Sequence, residues 1–193
     1  MKSYRPWLFL PLAIALLVTV TSRINAQSFT LEQVMSAPFP SELTVSKRGD
    51  KVAWAFDAEG KRNVWIAEAP VFAARQLTHY NKDDGQELSN LLFSPNGNMV
   101  GFVRGGGANQ AGEIPNPSSD PAGAKEEVWT VDVRTGRLTR IGAGSVPIFS
   151  PAGDQVEYLR EGHLWTVPAL GGKEKRMFEL RGAVSGVPEC SPD

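Results

Sequence analysis

Phe149-Ser150-Pro151-Ala152-Gly153-Asp154 decides the fold, because the same pattern recurs along the chain. An apolar residue, a serine and a tight turn return as Val45-Ser46-Lys47-Arg48-Gly49-Asp50 and as Phe93-Ser94-Pro95-Asn96-Gly97-Asn98. A fourth copy opens as Cys190-Ser191-Pro192-Asp193. The turn chemistry is physical: Pro presets φ for a central position, Gly supplies a positive φ, and Asp50 and Asp154 can bond back to the turn. Past each complete turn the residues alternate, apolar at the sixth and eighth positions after the serine: Val52 and Trp54, Val100 and Phe102, Val156 and Tyr158. A period of two predicts a strand with one face buried.

A second alternating run follows in each unit, as Val64-Trp65-Ile66-Ala67, Val128-Trp129-Thr130-Val131 and Leu164-Trp165-Thr166-Val167, so three of the five tryptophans fall in one column. A third run closes the unit at Arg75-Gln76-Leu77-Thr78, at Arg137-Leu138-Thr139-Arg140 and, more loosely, at Lys173 to Glu179. With the short strand that ends at each landmark serine, every unit holds four strands. Roughly 41 to 56 residues separate one serine from the next, the range of β-propeller blades. The expected fold is all-β, with four-stranded blades at about 41–80, 87–143 and 144–181 and the start of another at 182–193. A blade has two apolar faces that only neighbours can cover. Three and a fraction blades do not close a ring, so the propeller is read as incomplete.

Ahead of the blades, Lys2 and Arg5 precede an uncharged run from Trp7 to Val20, and Ile24-Asn25-Ala26 offers a small-residue cleavage site. That layout predicts a signal peptide over residues 1–26 and a mature domain over 27–193, exported to the periplasm or secreted. The run of about 14 residues is short for a membrane span, although Ile24 is larger than the preferred residue and leaves an uncleaved anchor as the alternative. No stable membrane anchor is expected after cleavage. Thr30-Leu31-Glu32-Gln33 matches a capping box and predicts a short helix that stops before Pro38. A Gly-, Pro- and Ser-rich insertion between Gly105 and Lys125 splits the second unit.

The whole chain carries a net charge of −1. Loss of Lys2, Arg5 and Arg23 with the signal lowers it to about −4, which argues against nucleic acid as a partner. Cys190 is the only cysteine, which leaves no internal disulfide and no cysteine-built zinc site. The repeat explains it as a small apolar residue in the column of Val45, Phe93 and Phe149.

Ser46, Ser94, Ser150 and Ser191 occur once per repeat and read as turn residues. No Gly-x-Ser-x-Gly elbow occurs, and His79 and His163 stand apart from any acid and nucleophile, so no catalytic residue is assigned. Gly105-Gly106-Gly107 lacks the Lys-Ser or Lys-Thr of a phosphate loop. Asn81, Asp83 and Asp84 match no standard cation loop. Glu126 and Glu127 are the weak candidates for substrate binding, since paired carboxylates can grip the amino group of a peptide; at the head of a strand they read more simply as solvated charges. No cofactor and no metal is expected.

The Ser-Pro-x-Gly turns, the Val-Trp strands and the Arg-x-Leu-Thr endings together resemble the propeller domain of the prolyl oligopeptidase and dipeptidyl peptidase IV family of serine peptidases. The turns are also similar to the repeats of TolB-like periplasmic propellers. The first resemblance implies a propeller that admits short peptides to an α/β-hydrolase domain, with the catalytic Ser, Asp and His lying beyond Asp193 and this chain inactive by itself. The second implies a non-enzymatic propeller that binds a protein partner on one face. In the dipeptidyl peptidase pattern the paired glutamates sit in a helical insertion, whereas Glu126 and Glu127 run straight into a strand, so that role is not carried over.

Overall fold

The computed structural model describes residues 29–106 and 125–177. The expected signal segment, residues 107–124 of the insertion with Gly107, the end of the last closing strand and the fourth turn with Ser191 and Cys190 lie outside the described residues. Helix α1 (Leu31–Met35) is set by its capping box: the Gln33 amide donates to Thr30 Oγ1 at 3.1 Å, and the Thr30 amide donates to Gln33 Oε1 at 3.0 Å. Among the described residues no helix is long and apolar enough to cross a membrane.

Twelve strands follow among the described residues. β1 (Phe39–Val45), β2 (Lys51–Ala58), β3 (Lys61–Glu68) and β4 (Ala73–Gln76) form one sheet in that order. β5 (Leu88–Phe93), β6 (Met99–Arg104), β7 (Glu127–Asp132) and β8 (Leu138–Ala143) form the second. β9 (Ser145–Phe149), β10 (Gln155–Arg160), β11 (His163–Pro168) and β12 (Lys175–Arg176) form the third. All pairings are antiparallel between consecutive strands, so each sheet is a propeller blade. β1 lies against β5 and β5 against β9, which puts the first strands on the inner side of the arc. The insertion leaves between β6 and β7, where its composition predicts it. The closing strand of the first blade is shifted two residues toward the amino terminus of its expected place. Leu77, expected in that strand, instead turns into the core at 1% exposure.

The three landmark serines do one job. Ser46, Ser94 and Ser150 carbonyls accept from the Gly49, Gly97 and Gly153 amides at 2.8 Å, and their hydroxyls accept from the Lys51, Met99 and Gln155 amides at 3.0–3.1 Å. Each hydroxyl in turn donates to Asp50, Asn96 or Asp154 at 2.7–2.9 Å. The glycines sit at φ of 70–76°, where a Cβ is strained.

The aromatic column is a cross-strand ladder: Trp54 faces Trp65, Phe102 faces Trp129 and Tyr158 faces Trp165. Phe102, Val100 and Val131 pack on Ala53, Ala55, Val64 and Ile66 of the preceding blade. Tyr158, Val156 and Val167 pack on Met99, Val103 and Val128 in the same way. Small and β-branched residues on one blade thus receive aromatic residues from the next, each fully buried side chain contributing about 1.5–3 kcal/mol. Arg75 donates across the first junction to the Val133 carbonyl at 2.6 Å, and Thr130 donates across the second to the Ala169 carbonyl at 2.8 Å. In the first blade the equivalent residues Val52 and Trp54 are only half-buried, and Leu43 and Phe39 on β1 are more than 70% exposed.

Every first strand carries a bulge at one place. Glu42 and Leu43 together stand opposite Trp54, Asn90 and Leu91 opposite Phe102, and Val146 and Pro147 opposite Tyr158. The first residue of each pair lies four before the landmark serine and has a left-handed backbone, φ 56°, 53° and 54°.

Two hairpins use the same turn chemistry. Glu59-Gly60 and Glu161-Gly162 have positive φ at both positions, the mark of a two-residue type I′ turn. Glutamate is a poor occupant at 51°, so Glu161→Asn is expected to stabilise the protein by about 0.5–1 kcal/mol, read as a higher urea midpoint with an unchanged slope.

Candidate functional site

Arg104 pairs in register with Glu127, Arg160 with His163 and Ala58 with Lys61, so all three second-to-third strand connections leave one end of the blades. Charged residues near these strand ends and in the adjoining linker are gathered by the fold into a rim. Arg62 meets Asp57 at 3.2 Å and Glu87 at 3.0 Å, with Asp83 at 3.9 Å. Arg104 donates to Asp84 and stacks 4.3 Å from the centre of the Tyr80 ring. Arg140 meets Glu127 at 2.9 Å. Arg160 grips Glu174 at 2.9 and 3.2 Å while lying 3.8 Å from the Trp165 ring centre.

Burial pushes the Tyr80 phenol up to about 12. Burial and the hydrogen bond it donates to Glu174 push Tyr158 up to about 12 as well. The bond from Arg160 holds the Glu174 carboxyl below its ordinary value. Stability drawn from that pairing is therefore present above the ordinary carboxyl value and is lost as pH falls through the depressed one.

The linker between the first two blades is fixed by a buried network. Asn63 Oδ1 accepts from the Tyr80 amide at 2.7 Å and from Thr78 Oγ1 at 3.0 Å, Asn63 Nδ2 donates to the Tyr80 carbonyl at 2.9 Å, and Thr78 Oγ1 accepts from the Val64 amide at 2.9 Å. Beside it the insertion departs through a narrow neck. A Cβ on Gly105, which has φ +82°, would lie 1.7 Å from the Lys125 carbonyl oxygen and 2.6 Å from Gln86 Oε1. Gln86 Oε1, the Tyr80 hydroxyl and Trp129 Nε1 are buried there without a partner among the described residues.

The sequence candidates disperse. Glu127 is turned to Arg140, and the exposed Glu126 offers its backbone carbonyl to the Gly144 amide. Asp83 and Asp84 are directed at Arg62 and Arg104 and also cap the turn amides of Gly85 and Gln86. Among the described residues no three acid, histidine or cysteine side chains converge as metal ligands. His79 is exposed in the linker and His163 opens β11, and among the described residues no serine is bonded to either. At the opposite blade end, a cavity of about 690 Å³ between the first two blades is lined by Lys51, Glu68, Arg75, Asp132 and Arg134. Arg75 spans it to Glu68 and to the Val133 carbonyl. The bulged inner strands and the arginine rim escape sequence reading, since Glu42, Asn90 and Val146 share no residue type and the rim pairs residues far apart in the chain.

No protein-family model and no curated protein sequence matches the chain. Among solved structures it is similar to a TolB candidate from Agrobacterium tumefaciens, with 20% identity, a TM-score of 0.50, and coverage of 78% of this chain and 50% of that one. It is similar to a prolyl endopeptidase, with 14% identity, a TM-score of 0.53, and coverage of 76% and 23%. It is similar to the acylaminoacyl peptidase of Pyrococcus horikoshii, with 15% identity, a TM-score of 0.50, and coverage of 72% and 25%. The chain thus spans half the length of the first and about a quarter of the other two. At these identities the likeness establishes the propeller fold, found in TolB-like and peptidase proteins alike.

Proposed function

We propose that this propeller is the substrate-gating domain of an exported serine peptidase that acts on short peptides, with the catalytic serine, acid and histidine on another part of the protein. The observation that carries the reading is the inner wall. Among the described residues β1, β5 and β9 each pair with one strand only, so their other edges present backbone N–H and C=O groups toward the channel. Extended peptides recognise such groups, and bulges that interrupt the edge favour transient contact over stable strand addition. The prolyl endopeptidase in the comparison is described as using inter-domain dynamics in catalysis and specificity, a role that a gating propeller would fill. The second reading, a TolB-like propeller that binds a protein partner on one face, is favoured by the neighbour of which this chain spans the larger share.

Hydrolysis of chromogenic dipeptide and acyl-peptide substrates by the natural gene product, with and without an active-serine inhibitor, separates the two. Inhibitor-sensitive cleavage is expected, with no turnover by residues 27–193 alone. A natural product that cleaves neither substrate class sinks the peptidase reading and leaves the binding one.

A further inference from the structure

The three inner-strand bulges do more than interrupt an edge. In the second and third blades the pair's second residue packs and its first is the more open, while in the first blade both are exposed. Leu91 is a member of the core between the first two blades, Pro147 is buried, and Leu43 occupies the same place in the blade whose outer face is uncovered. The first residues, Glu42 and Asn90, are exposed, and Val146 is half-buried. All three sit opposite the same aromatic position of the second strand, so they share one level of the inner wall. A left-handed backbone is costly for glutamate and valine, and its recurrence at one register marks a position whose side-chain direction is fixed by the fold. Glu42 meets no lysine or arginine among the described residues, as is also true of Glu126, Asp132, Asp154 and Glu161, but of these acids it alone stands at the bulge level of an inner strand.

We propose that the bulge level is a reading position for peptides at the inner wall, where Glu42 takes a basic side chain and Asn90 hydrogen-bonds the peptide backbone. The proposal rests on the peptide reading above and adds its substrate class: peptides carrying lysine or arginine. The carboxylate supplies charge without a competing internal cation, and the amide supplies a donor and an acceptor that do not depend on charge. Free strand edges on either side supply the remaining hydrogen bonds.

The probes are acetyl-Ala-Lys-Ala-amide and acetyl-Ala-Glu-Ala-amide, whose blocked ends leave one charge each, titrated into the chain at low ionic strength with amide chemical shifts as the readout. The lysine peptide is expected to bind about threefold to fivefold more tightly, the size of one exposed ion pair, with the advantage lost in high salt. Glu42→Gly removes the carboxylate and suits the left-handed backbone, so the variant folds and should bind both peptides equally. Asn90→Gly should weaken both by a similar factor and keep their ratio. Equal binding of the two peptides, or a preference that survives Glu42→Gly, overturns this inference and leaves the peptide reading standing. Failure of both peptides to bind overturns this inference and the peptide reading together.

Discussion

Phe102→Ala is expected to lower the unfolding free energy by about 3–5 kcal/mol, among the largest single losses this chain can show. Phe102 has no exposed surface, sits in the junction between the first two blades and faces Trp129 across the ladder. Its removal forfeits the transfer of a whole ring and leaves a cavity walled by Ala53, Ala55, Val64 and Ile66, residues too small to close over it. Trp54 occupies the same repeat position and is the larger side chain, yet Trp54→Ala is expected to cost about 1–2 kcal/mol, because that face of the first blade is half-open. Urea denaturation followed by far-UV circular dichroism compares the two without relying on the tryptophan signal. Equal losses would mean that the face carrying Trp54 is covered in solution.

Gly105→Ala should destabilise the protein by about 3 kcal/mol or more. Two effects add: a left-handed backbone disfavours alanine by about 1–2 kcal/mol, and the new methyl has to displace the Lys125 carbonyl, an overpacking cost of about 1–3 kcal/mol. The methyl would stand 1.7 Å from a backbone atom, so no side-chain rotation relieves it. Gly106 is the matched control, since a Cβ there meets nothing within 4 Å, and Gly106→Ala should stay within about 0.5 kcal/mol of the parent. The same denaturation experiment distinguishes neighbours that look interchangeable in the sequence. A Gly105→Ala protein as stable as the Gly106→Ala protein would show that the neck yields.

Those neighbours also mark how far the sequence could be read. Turn, strand and aromatic column were legible because each recurs with the same residue types: a serine followed by a turn glycine, and a tryptophan in every third strand. Repetition marks the serines as turn residues, and the three described hydroxyls are bonded within their own turns. The bulge was not legible, since glutamate, asparagine and valine have nothing in common except the place where the pairing slips. Burial was not legible either. Val52 and Trp54 read as core residues on the strength of alternation, which reports which residues share a face but not whether a neighbour covers it. The rim pairs, such as Arg104 with Asp84 and Arg160 with Glu174, join strand ends to linkers, a proximity that exists only after the blades form. Glu127 opens β7 and is turned to Arg140, whereas Glu126 lies just before the strand, a difference that adjacency in the sequence does not show.

Each sheet is made of strands taken in chain order, so its hydrogen bonds are closed by short loops, the split second blade excepted. Pairing of that kind is kinetically cheap, because little chain entropy is lost before the first contacts form. Joining one blade to the next depends instead on two apolar junctions and a few side-chain bonds. Folding should accordingly run in two tempos, with meanders forming early and docking late, and the reverse order on unfolding. Hydrogen exchange would register this as protection that differs from blade to blade. The middle blade, clasped on both faces, is expected to be the last to open.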